Sequence, residues 1–137
     1  MSRFIENVEE VVLAVENQDE VVDLFEELFD IEFKDSWTVP IYDMGVKSAQ
    51  IGSTQFQVIS STSPDGLVAK FIQDRGEGMH HIAFRVKNLD ELITRLKNKG
   101  VKLVPEEPKE MKSSRFIFVH PKSAHGLLIE LIEWSES

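Results

Sequence analysis

The chain has 137 residues, no cysteine, 42% hydrophobic residues and a formal net charge of −9. These values exclude a disulfide framework and a thiolate metal centre, and they argue against nucleic-acid binding, which calls for a basic face. No apolar run approaches the roughly 20 residues needed to cross a bilayer, and the start Met1-Ser2-Arg3-Phe4-Ile5 lacks the pattern of a secretion signal, so a cytoplasmic protein is expected.

In chain order, Val11 to Val15 reads as a buried strand, short and rich in β-branched residues. Asn17 to Asp19 offers capping side chains for a helix whose apolar stripe is Val21, Val22, Leu24, Phe25 and Leu28. Strand-like runs follow at Ile31–Phe33, Val46–Ile51 and Gln55–Ile59, punctuated by Pro40, Gly45 and Gly52. Ser60 to Gly78 is the join, with a short helix expected around Leu67, Val68, Phe71 and Ile72.

The second half repeats the plan. Ile82 to Val86 is a strand, Asn88 or Asp90 a cap, and Leu89, Leu92, Ile93 and Leu96 a buried helical stripe closed by Lys97, Lys99 and Gly100. Three more strands are expected at Val101–Val104, Arg115–Val119 and Leu127–Ile132.

The two halves share a register. Val15 falls on Val86, Asn17 on Asn88, Asp19 on Asp90 and Glu20 on Glu91, each pair offset by 71 positions. An internal repeat of this kind predicts two βαβββ modules. The expected fold is α+β, a curved mixed sheet or cup with helices on its outer face. Module one spans about residues 5–61, the linker about 62–77 and module two about 78–134, all in one domain. Strand alternation sends Val11, Leu13 and Val15 beneath the first helix and Ile82, Phe84 and Val86 beneath the second. Glu10, Val12 and Ala14, and likewise His81, Ala83 and Arg85, then face the concave side. Gln57 and Glu130 stand out of phase with the apolar residues beside them, so four polar side chains occupy two pairs of related positions.

With these residues in view, the chain resembles the vicinal oxygen chelate superfamily, and within it the methylmalonyl-CoA epimerases most closely. The resemblance is carried by Val68-Ala69-Lys70-Phe71, by Arg75 through Phe84, by Glu106-Glu107-Pro108, by Phe118 through Ser123, and by Gly126 through Leu131. It implies one divalent metal held by Glu10, Gln57, His81 and Glu130. A donor set rich in oxygen leans toward Mn, Co, Ni or Mg over Zn. It further implies an acyl-CoA substrate, a metal-stabilised enolate, Glu130 as one acid/base and a homodimer.

Two departures stand out. Glu10 occupies a position where epimerases usually carry histidine, and Ser48 occupies one where some carry the opposing glutamate. Asp43 is the substitute carboxylate assigned to catalysis, with Glu10 as another. Ser48, Lys112, Arg115 and Lys122 are assigned to substrate binding, the cations to coenzyme A phosphates. A glyoxalase I-like isomerase and a non-catalytic binding protein of the same fold are the competing readings. His80, His120 and His125 are expected to serve the fold, and Phe25, Phe29, Phe33 and Trp37 to be core or sheet-packing residues.

Overall fold

A computed structural model describes residues 2–135. Among these residues the chain order is β1 (Ile5–Ala14), α1 (Gln18–Phe29), β2 (Asp35–Val39), β3 (Met44–Ile51), β4 (Thr54–Ser61), α2 (Leu67–Arg75), β5 (Gly78–Val86), α3 (Leu89–Asn98), β6 (Leu103–Glu110), β7 (Ser114–Val119) and β8 (Ile129–Trp134), with 3-10 turns at Pro40–Tyr42 and Pro121–Ser123. The two βαβββ halves and the connecting helix are therefore present. The strands form a mixed eight-stranded sheet in the order β2-β3-β4-β1-β5-β8-β7-β6. In each half the first strand pairs in parallel with the last, β1 with β4 and β5 with β8, and the remaining pairs are antiparallel.

Two compact units emerge from the contacts: Glu10–His80, and the residues up to Glu9 together with those from His81 onward. Strands β1 and β5 each supply residues to both. In the unit built on Glu10–His80, Val15, Val22 and Val58 pack with Leu13, Val21 and Phe33 beneath α1. Val12, Ala14, Val46 and Ile59 lie on the opposite face of the same strands and pack against Val68, Phe71 and Ile72 of α2. The connecting helix thus covers one end of the face that was expected to be open, because its apolar stripe needs a partner and Val12 and Ala14 supply one.

In the other unit, Val86, Leu89, Leu92, Ile93, Ile117 and Leu131 form the core beneath α3, with Phe4 closing it. Helices α1 and α3 both lie on the faces opposite the candidate ligands, as strand alternation predicts.

Four local expectations are corrected. Ile31–Phe33 is not a strand; the edge strand is Asp35–Val39, and Phe33 instead packs its ring on Phe56, with its N–H donating to Glu26 Oε2. Strand β6 runs through Pro105 and Pro108 rather than stopping before them, which an edge strand with a register shift between Val104 and Lys109 tolerates. Asn17 caps α1 through its side chain, but Asn88 adopts a left-handed conformation and makes no side-chain cap. The N–H of Leu89 donates to Glu133 on β8 instead, at 3.0 Å. Finally, Phe29 and Trp37 are exposed, not core.

Candidate metal and acid/base site

On the Glu10–His80 unit the site is a polar stretch at one end of a strand face. Parallel pairing aligns Glu10 with Gln55 and Val12 with Gln57. Antiparallel pairing sets Ser48 opposite Gln57, and Asp35 opposite Ser48. Opposed residues project to one side, so Glu10, Gln55, Gln57, Ser48 and Asp35 share a face with Val12 and Ala14. Ser48 and Gln57 are the buried polar residues of the described chain. The Ser48 hydroxyl donates to Gln55 Oε1 at 2.7 Å.

On the other unit, Ala83 aligns with Glu130 and Glu130 with Phe118. His81 lies two residues before Ala83 on the same side of β5. His81 Nε2 stands 3.4 Å from Glu130 Oε1, each side chain being 13% exposed. The Phe118 ring meets the imidazole edge-on at 5.8 Å and Phe116 packs on Phe118 in turn. On this unit His81 and Glu130 each offer one ligand atom. A carboxylate and an imidazole are donors suited to a divalent ion.

The remaining assigned residues are not gathered at this point. Asp43 sits in the left-handed turn before β3, exposed, where its carboxylate accepts from Ser63 Oγ at 3.1 Å. Five residues of extended chain separate it from Ser48, about 16 Å. Arg115 is engaged elsewhere: its guanidinium pairs with Asp90 and Glu133, each at 3.0 Å. The hydrogen bond to Asp90 and that to Glu133 hold its pKa above the usual arginine value despite partial burial. Both its charge and its donors serve the α3 N-terminus, which leaves no free cation there for a phosphate. Lys112 and Lys122 are exposed at opposite ends of β7, roughly 16 Å of strand apart, so the assigned cations do not form one cluster.

His80 points away from the site and packs edge-on against Phe71 of α2 at 4.7 Å. His120 Nδ1 accepts from the Lys122 N–H and so closes the turn after β7. His125 holds a left-handed turn position. All three serve the fold, as the sequence suggests. Asp35 shares the face of Ser48 and Gln57, and its place depends on a strand that could be found only through its pairing with β3.

The model of the glyoxalase/bleomycin resistance protein/dioxygenase superfamily matches residues 9–118. The chain belongs to this superfamily. It is 27% identical over 123 residues to the mitochondrial methylmalonyl-CoA epimerase of Homo sapiens, covering 88% of this chain and 70% of the human one. Among solved structures it is similar to methylmalonyl-CoA epimerase from Mycobacterium tuberculosis, with a TM-score of 0.85, 27% identity and coverage of 99% of this chain and 93% of that one. The Streptomyces coelicolor methylmalonyl-CoA epimerase, solved as a variant in complex with 2-nitronate-propionyl-CoA, gives a TM-score of 0.82 at 26% identity, covering 95% of each chain. The fold is thus the α+β fold of these epimerases.

Proposed function

We propose that this protein is a divalent-metal-dependent epimerase acting on the α-carbon of an acyl-CoA, with methylmalonyl-CoA as the substrate. The observation that supports this reading is the half-buried pair of His81 and Glu130, Nε2 to Oε1 at 3.4 Å, in a chain similar to methylmalonyl-CoA epimerases. Glu10, His81 and Glu130 would hold the metal, with the buried amide of Gln57 as the fourth donor. When bound, the metal supplies positive charge that stabilises the enolate oxygen of the deprotonated thioester.

The protein's own groups do the rest. Glu130 exchanges a proton with the α-carbon on one face of the substrate. Phe116 and Phe118 keep water from that carboxylate, and Ser48 with Gln55 forms a hydrogen-bonded polar wall. The charges available for coenzyme A phosphates are the exposed Lys112 and Lys122, with Arg115 left to its structural pairs. Along with this reading goes a homodimer in the cytoplasm, which sedimentation and fractionation test directly.

Protein purified without an affinity tag is expected to carry one equivalent of Co, Mn, Ni, Mg or Zn by elemental analysis. With methylmalonyl-CoA in heavy water it is expected to incorporate deuterium at the α-carbon, and His81→Ala to abolish both metal and exchange. Absence of exchange with every one of these metals would falsify the proposal. Conversion of a glutathione hemithioacetal would favour the glyoxalase I-like alternative. One specific feature supports a non-catalytic binding protein: a serine, hydrogen-bonded and not acidic, lies at position 48. That reading predicts acyl-CoA binding that survives His81→Ala.

A further inference from the structure

We propose that Phe118 sets the size of the group that the substrate carries on its α-carbon, admitting a methyl and rejecting longer alkyl chains. The inference rests on the epimerase reading, in which Glu130 exchanges a proton with that carbon. A carboxylate acting on a C–H bond must stand within hydrogen-bond reach of its proton. The other substituents of the carbon then lie against the residues around Glu130, and those residues decide what fits.

Strand register identifies them. On β7, Phe118 is directly across from Glu130, and the β-carbons of such a pair lie about 5 Å apart. On β5, Ala83 is aligned with Glu130, and along β8 the next residue on the same side is Ile132. Ala83 and Ile132 are both buried and offer little surface to a ligand. Phe118 is half-buried and larger than either. Its ring also meets the His81 imidazole edge-on at 5.8 Å, and Nε2 of that imidazole stands 3.4 Å from Glu130 Oε1. One aromatic ring therefore borders both members of the pair.

Phe118 is braced as well as placed. Phe116, across from Ile132 on the same strand pair, packs against it with ring centres 5.9 Å apart and planes at 84°, an edge-to-face geometry that aromatic pairs favour. A phenyl ring carries no hydrogen-bonding group, so it separates substrates by shape alone. One methylene too many in an apolar pocket changes kcat/KM by roughly 10–200-fold, which is the scale of discrimination such a ring supplies.

The test compares methylmalonyl-CoA with ethylmalonyl-CoA, reading α-hydrogen exchange in heavy water and, by titration calorimetry, the affinity for each. Wild type is expected to exchange the methyl compound faster by at least ~10-fold, the lower end for one methylene. Phe118→Ala is expected to bring the two rates together and to raise the affinity for ethylmalonyl-CoA relative to methylmalonyl-CoA. Phe118→Leu, which keeps more apolar volume on β7, is expected to move both ratios the same way by less. A role confined to the fold would lower both substrates alike. Unchanged ratios in both variants, or a wild type that treats the two compounds equally, therefore overturn the assignment and leave the epimerase reading in place. A wild type that exchanges neither compound with any of the metals overturns the epimerase reading itself, and this assignment with it.

Discussion

Glu10 is the side chain on which the proposed metal chemistry turns. Its repeat partner, offset by 71 positions, is His81, so the two modules offer different donors from equivalent strand positions. A carboxylate in place of imidazole adds a negative charge and hardens the donor set, favouring oxygen-loving ions. Glu10→His is therefore expected to retain metal while shifting preference toward zinc, whereas Glu10→Ala loses at least tenfold in affinity for manganese. Titration calorimetry with each ion distinguishes the two, and equal manganese affinity in wild type and Glu10→Ala would remove Glu10 from the ligand set. The polar positions in this face were legible in the sequence because strand alternation exposes a Gln57 or a Glu130 flanked by apolar residues. Asp35 was not, because nothing local marks it: the apolar run Ile31–Phe33 looks more strand-like than Asp35–Val39. Only the long-range pairing with β3 sets the register.

Elements that cap and brace one another explain other differences between pattern and structure. Asn88 has the right chemistry for an N-cap, but its left-handed backbone turns the side chain away from the first turn of α3. Glu133, distant in sequence, takes over by accepting from Leu89 N and from Arg115 Nε, with Asp90 completing the set. No local rule could have found this, because the acceptor arrives on β8. Replacing Glu133 by Ala leaves the Leu89 N–H without its acceptor and Arg115 with only Asp90. The expected cost is about 1–3 kcal/mol, read as a lowered urea midpoint. Glu133→Gln keeps an oxygen for Leu89 and is expected to lose less than the alanine variant. Equal stability of all three would mean that water replaces the carboxylate at no cost. The same logic accounts for α2, which the apolar spacing of Val68, Phe71 and Ile72 located in the sequence, while the face it covers emerged only from the packing.

For the whole molecule, the repeat made the two βαβββ halves visible because each half carries its own strand, cap and amphipathic stripe. It did not reveal that the chain's beginning belongs with its second half. The residues up to Glu9 join those from His81 onward in one compact unit. Phe4 is the anchor: it is buried among Val86, Leu89, Leu92 and Ile93, with the guanidinium of Arg95 4.9 Å from its ring centre. The Lys87 N–H donates to its carbonyl. A lone phenylalanine among polar residues gave no periodic signal, so the sequence placed the first strand only from Val11, whereas β1 begins at Ile5. Phe4→Ala should therefore act as a core truncation. The lost burial and the cavity left among close-packed neighbours cost about 3–5 kcal/mol. Urea unfolding is expected to show a lower midpoint with an unchanged slope, and hydrogen exchange to show weakened protection in α3 and β8. A loss below about 1 kcal/mol, the range of surface substitutions, would mean that Phe4 contributes nothing to this core and that the strand before Glu10 is dispensable to it.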